Sequence, residues 1–243
     1  MKRTLAIGDI HGGLRGLTQL LERANVKAKD KLIFLGDYVD GWSESAQVMQ
    51  CLIELSEKNE CIFIKGNHDI WCEKWLRHHS IPQVWLHHGG KGTIESYKGF
   101  SKEDKQQHLE FFEKMPMYYI DDYNRLYVHA GFTSMHGVEE EKYELSFCTD
   151  RTLWEMVQTM DKSIGKSSDL YPDRLKHYNE IYIGHTPTIR SNSDKPINKI
   201  NLWNVDTGAA FTGMLSAIDI ETNEIFQSEA LPDLYPNEDG RNS

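Results

Sequence analysis

The chain has 243 residues, a formal net charge of −10 and a pI near 5.5. That length suits one large domain or a domain with an insertion, and 39% hydrophobic residues are enough to bury a core. The acidic balance argues against a general nucleic-acid binder, which presents a basic face to the phosphate backbone, and no run approaches the ~20 apolar residues of a membrane span.

The first seventy residues read as βαβαβ. Residues 4–7 form a short apolar strand that reaches a glycine at Gly8, too soon for the apolar core of a secretion signal. The protein is therefore expected in the cytoplasm. Leu14, Leu17, Leu20 and Leu21 mark one face of a helix over 14–24. A strand follows at 31–35, a helix at 45–56 with Val48, Leu52 and Leu55 inward, and a strand at 61–64. Strands alternating with helices predict a largely parallel sheet, with functional residues at the carboxyl ends of the strands. Residues 71–118 are rich in Trp, His, Lys and Glu and read as a helical cap. Within them a helix over 101–115 opens on Ser101, with Glu103 and Asp104 in its first turn. A hairpin spans 118–120 and 126–128, and a helix covers about 153–160. Strands at 180–183 and 201–205 precede a closing hairpin, 215–220 with 224–228. The expected organisation is one catalytic domain over 1–231 and a loose tail over 232–243.

Cys51, Cys61, Cys72 and Cys148 match no zinc or disulfide spacing and read as reduced, mostly buried thiols. His78-His79 and His87-His88 read as cap surface, Glu139-Glu140-Glu141 as a solvated face, and Trp71, Trp75 and Trp85 as core of the cap.

Five glycine-flanked motifs stand in order: Gly8-Asp9-Ile10-His11-Gly12, Gly36-Asp37-Tyr38-Val39-Asp40-Gly41, Gly66-Asn67-His68-Asp69, Val128-His129-Ala130-Gly131 and Gly184-His185-Thr186-Pro187. Any one of them alone is an ordinary turn. Together they place carboxylates, imidazoles and an amide where hard or borderline divalent cations find ligands. Asp9 and His11, two apart on an extended segment, can share one side and one metal. Asp37 can bridge two metals, and Asn67, His129 and His185 complete the second. His68 is assigned as general acid rather than ligand, with Asp40 accepting its hydrogen bond and raising its pKa.

On these motifs the chain resembles the calcineurin-like metallophosphoesterases, in their bacterial phosphoprotein phosphatase branch. That branch includes serine/threonine phosphatases and enzymes like diadenosine tetraphosphatase. The likeness extends to Gly89-Gly90-Lys91-Gly92-Thr93-Ile94-Glu95-Ser96-Tyr97 and Asn204-Val205-Asp206-Thr207-Gly208-Ala209. It implies an α/β fold of two mixed sheets packed as a sandwich and flanked by helices. It also implies two divalent ions per chain, manganese or else iron and zinc, held by Asp9, His11 and Asp37 and by Asp37, Asn67, His129 and His185. His68 and Asp40 are then the acid pair, and a metal-bridging hydroxide attacks in line. One departure stands out. The family's second motif continues to an arginine that clamps phosphate, and here Gly41-Trp42 stands in its place. Arg151, Arg15 and Lys91 are the candidates to replace that charge. The expected activity is phosphomonoester hydrolysis, first on phosphoserine or phosphothreonine in proteins. The alternatives are a dinucleoside polyphosphate hydrolase and a weakly active phosphate-binding regulatory module. The expected partners are a phosphoprotein or a small phosphoester, with neither nucleic acid nor membrane, and the sequence carries no sign of oligomeric state.

Overall fold

A computed structural model describes residues 3–241 of the chain. Thr4–Ile7 (β1), Lys31–Phe34 (β2) and Glu60–Phe63 (β3) pair in parallel, joined by the helices Leu14–Arg23 (α1) and Ser45–Ser56 (α2). Met214–Asp219 (β9) and Ile225–Ala230 (β10) add to the same sheet antiparallel, giving the order β10-β9-β1-β2-β3. The second sheet has the order β4-β5-β6-β8-β7. It is built from Tyr118–Ile120 (β4), Arg125–Val128 (β5), Glu180–Ile183 (β6), Ile197–Lys199 (β7) and Leu202–Asn204 (β8). Both sheets are mixed. β7 has no counterpart in the sequence reading, because Ile197-Asn198-Lys199 is three residues at a sheet edge with no apolar alternation.

The sheets meet face to face over Ala6, Ile33, Leu35, Ile64, Val205 and Ile218, with Tyr127 and Tyr182 stacked at 5.1 Å in the same layer. Full burial of such side chains contributes roughly 1.5–3 kcal/mol each. On the outer face of the first sheet α1 buries Leu17 and Leu20, and α2 buries Val48, Met49 and Leu52. The outer face of the second sheet is covered by the helix Thr152–Thr159, through Leu153, Trp154 and Val157.

The segment expected as a cap is helical, and it joins the outer layer instead of standing apart. Asn67–His78 (α3) and the capped helix Lys102–Glu113 pack together beside α2. Trp85, Tyr97 and Phe112 enter the same core as α2. The expected loose tail is corrected for 232–241. Leu231–Leu234 is a helical turn, Leu231 and Tyr235 are buried, and Tyr235 stacks on Trp42 at 5.0 Å. Residues 242 and 243 lie outside the described part. Among the described residues no helix is long and apolar enough to cross a membrane, and the four cysteines are free, two buried and two half-buried.

His108 is fully buried, with Nδ1 2.9 Å from the Tyr97 hydroxyl and Nε2 3.3 Å from Gln50 Oε1. Desolvation holds its pKa down to about 4. Between the unfolded value and about 4 the unfolded chain binds the extra proton, so the stability held at neutral pH is lost as pH falls through that window. His108→Gln removes this titration. The stability advantage of the wild type over the variant should shrink by up to about 3 kcal/mol from about pH 7.5 to about pH 4, measured by denaturant unfolding.

Candidate active site

The parallel strands of both sheets end at one edge, and the motifs sit there. Gly8–Gly12 follows β1, Gly36–Gly41 follows β2, Gly66 and Asn67 follow β3, His129 follows β5 and His185 follows β6. The turns are tight. His11, Asp37, Asp40 and His185 have φ of 52°, 53°, 71° and 66°, left-handed values that non-glycine residues adopt at some cost. Asp9 and His11 are therefore not on an extended segment as the sequence reading had it. The left-handed bend at His11 turns its ring back, leaving Nε2 3.8 Å from Asp9 Oδ2 and 3.6 Å from Asp37 Oδ2. Nor is the third motif strand-like, since Asn67 and His68 begin α3. Gly66 and Gly184 bring backbone against carboxylate. A Cβ at Gly66 would lie 2.2 Å from Asp37 Oδ1, and one at Gly184 2.0 Å from Asp9 Oδ1.

Asp37 occupies the centre. Its Oδ1 accepts the His68 backbone N–H at 3.0 Å. Its Oδ2 lies between two imidazoles, 3.6 Å from His11 Nε2 and 3.3 Å from His129 Nε2. Each of these rings is aimed by its other nitrogen. His11 Nδ1 is 3.0 Å from the Asp40 carbonyl and His129 Nδ1 is 2.7 Å from the Leu35 carbonyl, so Nε2 faces the cluster in both. His129 Nε2 is also 3.3 Å from Asn67 Oδ1 and 3.2 Å from His185 Nδ1. Asp69, whose role the sequence reading did not assign, straps two motifs together. It accepts the backbone N–H groups of Asp37, Tyr38 and Gly66 at 2.8, 2.9 and 2.8 Å.

His68 Nδ1 lies 2.6 Å from Asp40 Oδ2. Asp40 also accepts from Trp85 Nε1 at 2.7 Å and from the Thr93 hydroxyl at 2.6 Å. The Gly89–Tyr97 segment thus builds the seat of Asp40. Burial raises Asp40 to about 8 and lowers His68 to about 3, with Asp37 the neighbour that pushes His68 back up. The expectation that Asp40 raises the His68 pKa is corrected: burial opposes charge on both groups.

The electrostatics of the cluster favour a bound cation. Burial and the neighbouring Asp206 raise Asp9 well above the carboxylate range. Asp206 is itself raised to about 6 by burial. For Asp37 burial works the other way but is outweighed by His129, His68 and His11, which hold it well below its usual value. Burial lowers His11 and His185 strongly, keeping them neutral, while Asp37 and Asp9 overcome burial at His129 and raise it to about 10. His129 thus carries the positive charge that compensates the buried carboxylates, and a divalent cation held by the same carboxylates and imidazoles would supply that charge in its place. Two groups, His11-Asp37-His68 and Asp37-His129-His185, each converge within 4.8 Å and share Asp37; the first includes His68, whose Nδ1 is engaged by Asp40, while the expected ligand Asp9 lies 3.8 Å from His11 Nε2. The residues present fit a pair of divalent ions. Asp206, at the end of β8, was not singled out in the sequence, although an aspartate closing an apolar run is the signal that marked Asp9 and Asp37.

A cavity of about 250 Å³ opens over this cluster. Its rim carries Arg151, Arg190, Arg241, Trp71, His88 and Phe211. Arg151 was expected here, and its Nε–H points to His185 Nε2 at 3.4 Å. Arg15 is not at the cavity. It donates to the Leu234 carbonyl at 2.7 Å and lies 4.5 Å over the Tyr235 ring. Lys91, exposed at the start of the helix Lys91–Ser96, is not part of the lining either. Trp71 and His88, expected on the cap, face the cavity and stack on each other at 5.9 Å.

A two-sheet sandwich with a candidate metal site sharing one aspartate at the strand ends is the architecture of a metallophosphoesterase. The calcineurin-like phosphoesterase model matches residues 2–206, and the chain belongs to that family. It is a phosphoester hydrolase, and the family depends on a dinuclear metal centre. The chain is 28% identical to a bis(5'-nucleosyl)-tetraphosphatase PrpE of Oceanobacillus iheyensis, over 87% of this chain and 86% of that protein. It is 29% identical to the PrpE of Bacillus thuringiensis, over 87% and 88%. A solved structure assigned provisionally as a diadenosine tetraphosphatase superposes with TM-score 0.66 at 19% identity, covering 94% of each chain. A protein serine/threonine phosphatase from Saccharomyces cerevisiae superposes with TM-score 0.59 at 15% identity, covering 94% of this chain and 80% of that one.

Because Asp69 satisfies three buried N–H groups, Asp69→Ala should destabilise the fold by about 3 kcal/mol or more, read from the denaturant midpoint. A change below ~0.5 kcal/mol would show that the strap is dispensable.

Proposed function

We propose that this hydrolase cleaves nucleoside polyphosphates, with dinucleoside polyphosphates as its main substrate class and manganese as the working metal. The observation that carries this reading is the rim: three guanidiniums and three aromatic rings surround one small cavity. A polyphosphate chain carries several negative charges in a row, and arginine forks suit its oxygens. The Trp71–His88 stack offers an aromatic surface to a base, while Phe211 carries the guanidiniums of Arg190 and Arg241. The relatives named as tetraphosphatases support the same reading. Expectation had placed protein phosphatase activity first. It is now the second reading, favoured by cavity size: about 250 Å³ accepts a phosphoseryl side chain whole, while a dinucleotide leaves its nucleosides on the rim.

Asp9, His11 and Asp37 would hold one metal ion, and Asp37, Asn67, His129 and His185 the other. When bound, the two ions neutralise phosphoryl oxygens and acidify water. The remaining steps fall to the chain's own residues. Asp37, with Oδ1 tied to the His68 amide and Oδ2 between His11 and His129, would be the ligand the two ions share. Arg151 and Arg190 draw the polyphosphate into line from the rim. His68, held through Nδ1 by Asp40, presents its other nitrogen to the departing oxygen and delivers the proton there.

Two outcomes follow. With manganese loaded, the specificity constant on diadenosine tetraphosphate should exceed that on a phosphoserine peptide by at least ~10-fold; the reverse order would move the enzyme to the second reading. His68→Asn should slow an alkyl monoester by ~10²–10⁴-fold, and p-nitrophenyl phosphate much less, since a good leaving group needs no proton. Metal content by mass spectrometry should remain near two per chain, and its loss would place His68 among the ligands.

A further inference from the structure

The residues after the last strand of the fold dock onto one short segment. Tyr235 stacks on Trp42 at 5.0 Å, and its hydroxyl bonds Glu44. The Ser43 backbone N–H and hydroxyl both donate to the Glu238 carboxylate, at 2.9 and 2.7 Å. Trp42 Nε1 donates to the Ala209 carbonyl at 2.7 Å, and the Arg241 backbone N–H to the Ala210 carbonyl at 2.8 Å. Gly240, at φ +57°, passes so close that a Cβ there would lie 2.8 Å from Trp42 Cζ2. All of these contacts bear on residues 42–44 or on the 209–210 turn beside them. Their effect is to carry Arg241 to the cavity.

Arg241 arrives beside Gly41. A Cβ built on Gly41 would meet Arg241 Cγ at 3.3 Å, so the arginine's stem runs through the space a side chain at position 41 would enter. Gly41 has φ +116°, which a longer residue adopts only with strain. The guanidinium is the half-buried one of the three at the rim. It is held by His88 Nδ1 at 3.1 Å from Nη2 and by the Phe211 ring at 5.2 Å, and no ion pair with a carboxylate of the described residues holds it. Its charge is set against Asp37, Asp40, Asp206 and Asp9, the groups that gather around the metal cluster. A planar donor of five N–H groups, half-buried beside that cluster and engaged by an imidazole and a ring among the described residues, is suited to a phosphoryl group.

We propose that Arg241, delivered by the strap 231–241, binds the phosphoryl group undergoing hydrolysis and stands in for the charge missing at Gly41. Gly41 and Trp42 belong to the same device: one leaves the space, and the other anchors the strap. The role rests on the phosphoester-hydrolase reading and holds for either substrate class.

The test uses inorganic phosphate and the manganese-loaded full chain. Arg241→Gln keeps the backbone bond to Ala210 and removes the fork. It should weaken phosphate binding in titration calorimetry by about 10- to 100-fold, with metal content and melting temperature unchanged. Arg241→Lys should recover part of the loss. Unchanged phosphate affinity in Arg241→Gln overturns the proposal. A second measurement needs only the wild type: phenylglyoxal labelling mapped by mass spectrometry should be slowed at Arg241 by phosphate, and equal labelling with and without phosphate overturns it. Failure of the wild type itself to hydrolyse p-nitrophenyl phosphate would count against the hydrolase reading, which separates the two.

Discussion

Crowding of like charge away from water is the constraint on which the rest of the molecule depends. Asp9, Asp37 and Asp206 are buried within one cluster, at the edge where strands from both sheets end. Buried carboxylates are tolerated only with compensating charge and hydrogen bonds. The surrounding structure supplies both. Imidazoles lie between the carboxylates, each turned by a backbone carbonyl, and Asp37 takes an amide from the first turn of α3. Left-handed backbone at His11, Asp37, Asp40 and His185 is the local strain this convergence requires. The sandwich core and the Asp69 strap are what keep that strain from relaxing.

The acid pair illustrates how a neighbouring layer tunes chemistry. Asp40 lies at the end of a turn from the first sheet, yet its partners Trp85 and Thr93 come from the helical segment packed outside α2. Burial by that segment pushes Asp40 up and His68 down, so neither group charges independently. The 2.6 Å contact between them fixes the His68 ring through Nδ1 and leaves its other nitrogen free of that contact. The helical segment therefore keeps water from one carboxylate, and Trp71 and His88 of it reach the cavity.

The rim shows an exchange between distant parts of the chain. Position 41 holds a glycine, and Trp42 turns inward to 0% exposure, stacked on Tyr235. The strap that Tyr235 begins ends with a guanidinium over the same cluster. Arg151 and Arg190 come from other loops. Positive charge at the rim is thus assembled from three separate segments, which gives a linear polyanion more than one point of attachment.

Much of this could be read from the residues in order. The first βαβαβ run, α2 at Ser45–Ser56, the hairpin of β4 and β5, and the motifs whose eight polar residues converge at the strand ends are local patterns, written in apolar periodicity and glycine-flanked turns. Short-range sterics and side-chain chemistry decide such features, so the chain itself determines them. Other features depend on what lies nearby only after folding. Asp206, His88 and Trp71 join the cavity because of where a loop, a helical turn and α3 pack against the sheets. Arg15 leaves it because Leu234 and Tyr235 offer a carbonyl and a ring. The pKa of His68 depends on burial by a segment remote in sequence. Arg241 lies two hundred residues from Gly41, and no pattern along the chain relates them. Their meeting is a long-range packing event between an indole, a phenol and a turn, and only the tertiary structure decides it.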